Sequence, residues 1–152
     1  MNLSFQLQVI GEVLLAMFCG GLIGYDREQA SKPAGLRTHM LVAGAAALLV
    51  GLSDVLVTRA TGGQAQSSHT ADPVRIVEAI ITGVSFIGAG TILRHGQKER
   101  VEGLTTAAAL LMSAAIGISV ALHQFILAGG VTLLTLTVLR SLTVFEQWLR
   151  RS

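Results

Sequence analysis

The stretch GLIGYDREQASKPAGLRTHMLV occupies residues 21–42 and is flanked on both sides by apolar sequence. Within it Asp26, Arg27, Glu28, Lys32 and Arg37 fall inside one short segment. The chain then re-enters apolar sequence through Gly35-Leu36-Arg37-Thr38. Charges gathered between two long apolar runs mark a place where a polypeptide leaves lipid, turns in water and goes back.

The composition supports that reading. Charged residues make up 13% of the 152, hydrophobic ones 51%, and the mean hydropathy is +0.64. Soluble domains carry about 25% charged residues. A soluble fold this poor in charge would expose large apolar patches. The sequence pI of about 9.2 raises the idea of a nucleic-acid partner. The Lys and Arg residues sit in short connections and not along one basic face, so no nucleic-acid partner is expected.

Working outward, five apolar runs emerge, at about residues 5–25, 36–57, 74–93, 104–122 and 125–145. Each is close to the roughly 20 residues a helix needs to cross a hydrocarbon core. The expected fold is an all-α, polytopic transmembrane bundle of about five helices, forming a single domain over residues 1–152. Residues 1–11 hold no Lys or Arg, so the first run reads as a retained helix and not a cleaved leader. The single cysteine, Cys19, lies in an apolar run and reads as a small packing residue.

Orientation follows from the basic residues. Arg27, Lys32, Arg37, Arg94, Lys98, Arg100, Arg140, Arg150 and Arg151 share one side if there are five crossings; Arg59 and Arg75 lie on the other. Positive residues favour the cytoplasm. The N-terminus is therefore expected outside and the C-terminus in the cytoplasm. Residues 58–73 form a Gly- and Ser-rich external loop ahead of the third helix, with Pro73 at its first turn and Asp72 as its cap.

The second half echoes the first. GLRTHMLVAGAAALL and GLTTAAALLMSAAIG share Gly35/Gly103, Leu36/Leu104, Thr38/Thr106, Ala46/Ala114 and Ala47/Ala115. Two readings stay open: a parallel two-helix repeat, as in some transporters, or chance likeness between Ala-rich helices. Gly20/Gly24, Ala43/Ala47/Gly51 and Ser113/Gly117/Ala121 are spaced by four and make smooth faces for close helix packing, within one chain or in a homo-oligomer.

Ionisable residues at membrane depth are costly and often functional. Glu12, Asp54 and Glu78 all fall in the outer half of the expected topology. They could line a wet vestibule that attracts a hard divalent cation such as Mg²⁺. Alternatively each reaches the headgroups or pairs with Arg59 or Arg75. At the cytoplasmic end an Asp26–Arg37 pair could clip the first hairpin shut. Arg37 stands at a helix N-terminus, the unfavourable end for a cation, and so calls for an anionic partner.

Two ordered blocks carry a resemblance. The first is Gly20-Gly21-Leu22-Ile23-Gly24-Tyr25-Asp26-Arg27-Glu28 followed by Ala34-Gly35-Leu36-Arg37-Thr38. The second is Gly83-Val84-Ser85-Phe86-Ile87-Gly88-Ala89-Gly90, then Ile92-Leu93-Arg94, then Gly103-Leu104-Thr105-Thr106. Together they resemble the signature of the MgtC/SapB family of bacterial membrane proteins, from about residue 8 to residue 145. The resemblance implies an inner-membrane helical domain and a role in adaptation to low magnesium. In pathogenic members it also implies survival inside host phagocytes, and one member is linked to restraint of ATP synthase. It singles out Asp26, Arg27, Arg37, Gly88, Gly90, Arg94 and Thr106 as site residues. Position 26 is Asp where many relatives are expected to carry Glu. Many relatives add a soluble cytoplasmic domain after the last helix, whereas this sequence stops at Ser152.

Two functions follow from this reading. One is a non-enzymatic regulator that contacts a membrane partner. The other is a small oligomeric transporter or channel for divalent cations, with Mg²⁺ as ligand. Only Ser85, Thr91, Ser113 and Ser119 are counted as mid-span polar groups, too few for a continuous path. No catalytic triad, metal-ligand cluster or phosphate loop is legible, so neither an enzyme nor a cofactor is expected.

Overall fold

A computed structural model of the chain describes residues 3–53, 55, 73–93 and 103–149. Those residues form five helices and no strand: α1 (Leu3–Gln29), α2 (Leu36–Gly51), α3 (Pro73–Leu93), α4 (Leu104–Ala121) and α5 (Phe125–Leu149). The all-α bundle expected from the apolar runs is what the chain builds. Leu3–Gln29, Val74–Ile92 and Leu104–Ala121 are long and apolar enough to cross a membrane, and Leu36–Gly51 and Phe125–Ser141 are shorter apolar helices.

The boundaries differ instructively. α1 runs on through Asp26-Arg27-Glu28-Gln29, past the expected end at 25, because no Pro or Gly interrupts it before Pro33. Its end is a Schellman turn: Lys32 N–H donates to the Arg27 carbonyl and Ser31 N–H to that of Glu28, with Ser31 left-handed at φ 52°. α2 ends at Gly51 with Leu52 as its C-cap; its expected last residues and the Asp72 cap fall outside the described residues.

α4 is the central helix and packs against all four others. It buries Ala109, Leu110, Ala114, Ile116 and Val120 against its neighbours and turns Leu104, Leu111 and Met112 outward. α1 and α2 form the most extensive pair, while α3 rests mainly on α4 and makes no contact with α1. Large apolar side chains point outward, with Phe86 81% and Ile126 95% exposed, as expected where lipid is the solvent.

Association of helices in lipid rests on close packing, because acyl chains are as apolar as Leu. The small-residue stripes supply it within the chain. A methyl group at Gly20 would stand 2.6 Å from the His39 carbonyl, and one at Gly24 2.7 Å from Leu36 Cα. One at Gly117 would collide with the Ala43 carbonyl. Thus α1 and α4 each bring bare backbone against α2. Ala16, Ile23, Ala43, Ala47, Ile116 and Val120, all fully buried, fill the interior between them.

The internal echo has a structural counterpart in its starting points. Gly35 precedes α2 and Gly103 precedes α4, each at the N-cap. Their backbones differ: Gly35 is extended at φ −105°, whereas Gly103 is left-handed at φ 97°.

Candidate functional site

The signature charges assemble at the end of α1. Arg27 is only 3% exposed and donates through Nη2 to Asp26 Oδ2 at 2.8 Å. Arg140, from α5, donates through Nε to Asp26 Oδ1 at 3.0 Å. One carboxylate is therefore held between two guanidinium groups, one buried and one facing out. Glu28 supplies the missing N-cap of α2: its Oε2 accepts the Leu36 N–H at 2.8 Å, across the turn. This favours the helix N-terminus electrostatically as well, since the carboxylate sits at the positive end of the macrodipole.

The Asp26–Arg37 clip expected from the sequence does not form. Arg27 and Arg140 take both oxygens of Asp26, and Arg37 is exposed. Arg140 lies 114 residues from Asp26 in sequence, so no local pattern announces it.

One helical turn into α2, His39 is fully buried and bonds through Nδ1 to Ser113 Oγ at 2.8 Å. Ser113 gives its single proton to the Ala109 carbonyl at 3.1 Å, so in this bond the imidazole is the donor. A Ser–His pair is also the starting point of acyl-transfer chemistry. Here neither atom can be reached by a substrate, because both residues have no exposure. Among the described residues two buried side-chain polar atoms, Arg27 Nε and His39 Nε2, have no hydrogen-bond partner. His39 was not singled out by its sequence context. Its signal was there in hindsight: a histidine opening an Ala-rich apolar helix needs a polar partner.

The other signature positions divide. Gly88 is buried, and a methyl group there would press on Ala107 Cβ at 3.1 Å, so it seats α3 on α4. Thr106 is 1% exposed at the start of α4. Gly90 is exposed and a methyl group there would meet nothing. Arg94 lies outside the described residues.

Of the three outer carboxylates, Glu12 and Glu78 do not meet. Glu12 is 7% exposed and is bonded by Gln8 Nε2 at 3.0 Å, with His123 Nε2 at 3.1 Å. Glu78 is exposed on α3, the helix that does not touch α1. Asp54 lies outside the described residues. Among the described residues no three His, Cys, Asp or Glu side chains converge. Beside α3 an apolar groove of about 660 Å³ separates it from α2, lined by Leu41, Ala45 and Leu49 on one wall and Ile76, Val84 and Ile87 on the other.

The two signature blocks thus sit where the helix hairpins close, Asp26-Arg27 at the end of α1 and Gly88 at the α3–α4 contact. A family model described as the MgtC family matches residues 13–148. This chain belongs to the MgtC family. It is 39% identical to SrpB of Synechococcus elongatus, over all of this chain and 82% of that one. It is 40% identical to YhiD of Escherichia coli (strain K12), which its name marks as a proposed magnesium transporter, over 89% of this chain and 61% of that one. It is also 40% identical to MgtC of Salmonella typhimurium (strain LT2), over 82% of this chain and 48% of that one. The chain therefore spans about three fifths of YhiD and about half of MgtC. No solved structure matches it.

Proposed function

We propose that this MgtC-family chain is a multi-pass protein of the bacterial inner membrane that acts in magnesium homeostasis. In this reading it is a non-enzymatic regulator of a membrane partner, with its N-terminus outside and its C-terminus in the cytoplasm. The observation that carries the choice of regulator over pore is the filled interior. Glu12 near one end and Arg27 near the other are separated by Ala16, Ile23, Ala43, Ala47, Ile116 and Val120, none of them exposed. The polar side chains buried beside them, His39 and Ser113, bond each other, and among the described residues no continuous row of polar groups stands there to replace an ion's water. The α2–α3 groove is the face this reading gives to a partner's helix, since α3 is held chiefly from its α4 side. The link to magnesium draws on the family and on the name of YhiD.

That same name supports a second reading, transport of a divalent cation by an oligomer, in which exposed Glu78 would face the path between chains. Flux of Mg²⁺ into liposomes containing the purified chain separates the two. The regulator reading expects no saturable uptake above protein-free liposomes. Saturable uptake that disappears with Glu78→Gln would replace it with transport.

A further inference from the structure

Away from the signature cluster, three side chains converge where the α4–α5 turn meets α1. Gln8 Nε2 lies 2.8 Å from His123 Nε2 and 3.0 Å from Glu12 Oε1, and His123 Nε2 lies 3.1 Å from Glu12 Oε1. The three atoms form a nearly equilateral triangle. Its edges cannot all be hydrogen bonds. If the Gln8 amide donates to both neighbours, the imidazole nitrogen is a bare lone pair facing a carboxylate oxygen. If the imidazole keeps its proton there for Glu12, two donors face each other across the Gln8 edge. Either way, with the carboxylate ionised, one edge is not a hydrogen bond, and Glu12 is only 7% exposed.

A second observation concerns the backbone. α4 ends in a Schellman turn, with His123 N–H donating to the Val120 carbonyl and Gln124 N–H to that of Ser119. The left-handed residue of such a turn is usually Gly. Here it is His123, at φ 59°, a conformation an L-residue rarely adopts. Phe125 packs edge-on against the ring, with centroids 5.9 Å apart. The left-handed turn thus sets an imidazole against a carboxylate buried on α1.

We infer that Gln8, Glu12 and His123 form a binding site for a hydrated divalent first-row transition ion, with Mg²⁺ disfavoured. Ligands bound at about 2.1 Å and at right angles stand about 3.0 Å apart, whereas tetrahedral ones stand about 3.4 Å apart. The observed edges fit one triangular face of an octahedron. A half-turn of the Gln8 amide puts Oε1 where Nε2 stands, completing a set of one nitrogen and two oxygens. The His123 side chain is 55% exposed, so water reaches the cluster. Imidazole suits ions such as Co²⁺, Ni²⁺ and Fe²⁺, while Mg²⁺ prefers oxygen donors alone. The site stands independently of the proposed regulatory role.

The test uses the full chain, purified in detergent without a histidine tag and titrated with Co²⁺. One Co²⁺ per chain is expected to bind, and a hundredfold excess of Mg²⁺ is expected to leave it in place. His123→Gly suits the left-handed turn and should fold at least as well, yet weaken Co²⁺ binding more than tenfold; Glu12→Gln should do the same. Absence of stoichiometric Co²⁺ binding, unchanged binding in folded His123→Gly, or displacement by equimolar Mg²⁺ would each overturn the assignment.

Discussion

Arg140 of α5 and Asp26 of α1 meet at 3.0 Å, so the last helix is tied to the end of the first through a carboxylate that also holds buried Arg27. The two guanidinium groups are unequal partners. Arg27 depends on Asp26 because its side chain is 4% exposed, whereas that of Arg140 is 68% exposed and can turn to water.

Asp26→Asn is therefore expected to destabilise the chain by about 3 kcal/mol, since it leaves a buried cation without its anion. Arg140→Gln is expected to lose under about 1 kcal/mol, as for an exposed ion pair. Equilibrium unfolding of both variants in the same detergent checks the ratio. Equal losses would mean that Arg27 finds its anion elsewhere.

The His39–Ser113 bond makes a second expectation. Ser113→Ala leaves a donor on His39 without an acceptor in the interior of the bundle. A loss of about 1 kcal/mol is expected, because hydrogen bonds between membrane helices average about 0.6 kcal/mol and an orphaned donor adds to that. Unfolding of Ser113→Ala beside Ser119→Ala, whose hydroxyl only bonds back to Ala115, isolates the cross-helix part.

Backbone contact at Gly117 has no room for a side chain. Gly117→Val is expected to abolish accumulation of folded protein, since the Ala43 carbonyl is backbone and cannot swing aside. Gly90→Ala, at an open position, is expected to change stability by less than about 1 kcal/mol, in the favourable direction if a helical Gly is being replaced. Size-exclusion profiles of the two variants provide the comparison.

The two equivalent glycines of the echo should respond differently. Gly103→Ala forces an L-residue into φ 97° and toward the Thr91 carbonyl at 3.0 Å, for an expected loss of about 1–2 kcal/mol. Gly35→Ala meets no such conformational barrier at φ −105° and presses first on the Glu28 side chain, at 2.9 Å from its Oε2. Its loss should shrink once Glu28→Gln is already present. Thermal unfolding of the two singles and the double variant checks both statements.

Orientation is open to labelling. With Cys19 replaced by Ser, an impermeant maleimide is expected to reach Gln124→Cys in intact cells and Lys32→Cys only after permeabilisation. Labelling of Lys32→Cys in intact cells, with Gln124→Cys reached only after permeabilisation, would reverse the proposed topology, and labelling of both in intact cells would overturn the count of crossings.

The helices were legible because lipid imposes a length on apolar runs, and the end of α1 because charge marks the exit from it. The Gly20/Gly24 and Ser113/Gly117 stripes were legible as smooth faces, and they do seat backbone on backbone. Partner choice was not legible. Asp26 is joined by a residue 114 positions away, and Gln8 by one 115 away, distances over which sequence spacing carries no geometry. Arg37 looked like the partner of Asp26 because it lies nearby in sequence, yet Arg27 is already oriented on the same helix turn. Glu12 and Glu78 looked alike along the chain, yet Glu12 is buried against Gln8 and His123 while Glu78 is exposed on a helix that does not touch α1.

The span of 74 residues between His39 and Ser113 has a consequence for biosynthesis. A ribosome adding about 5 to 20 residues per second needs roughly 4 to 15 seconds to get from the first to the second. Through that interval α2 has entered the bilayer while the hydroxyl that accepts from its imidazole is still unmade. The nascent α1–α2 pair must keep this group hydrated, or shielded by the insertion machinery, until α4 arrives.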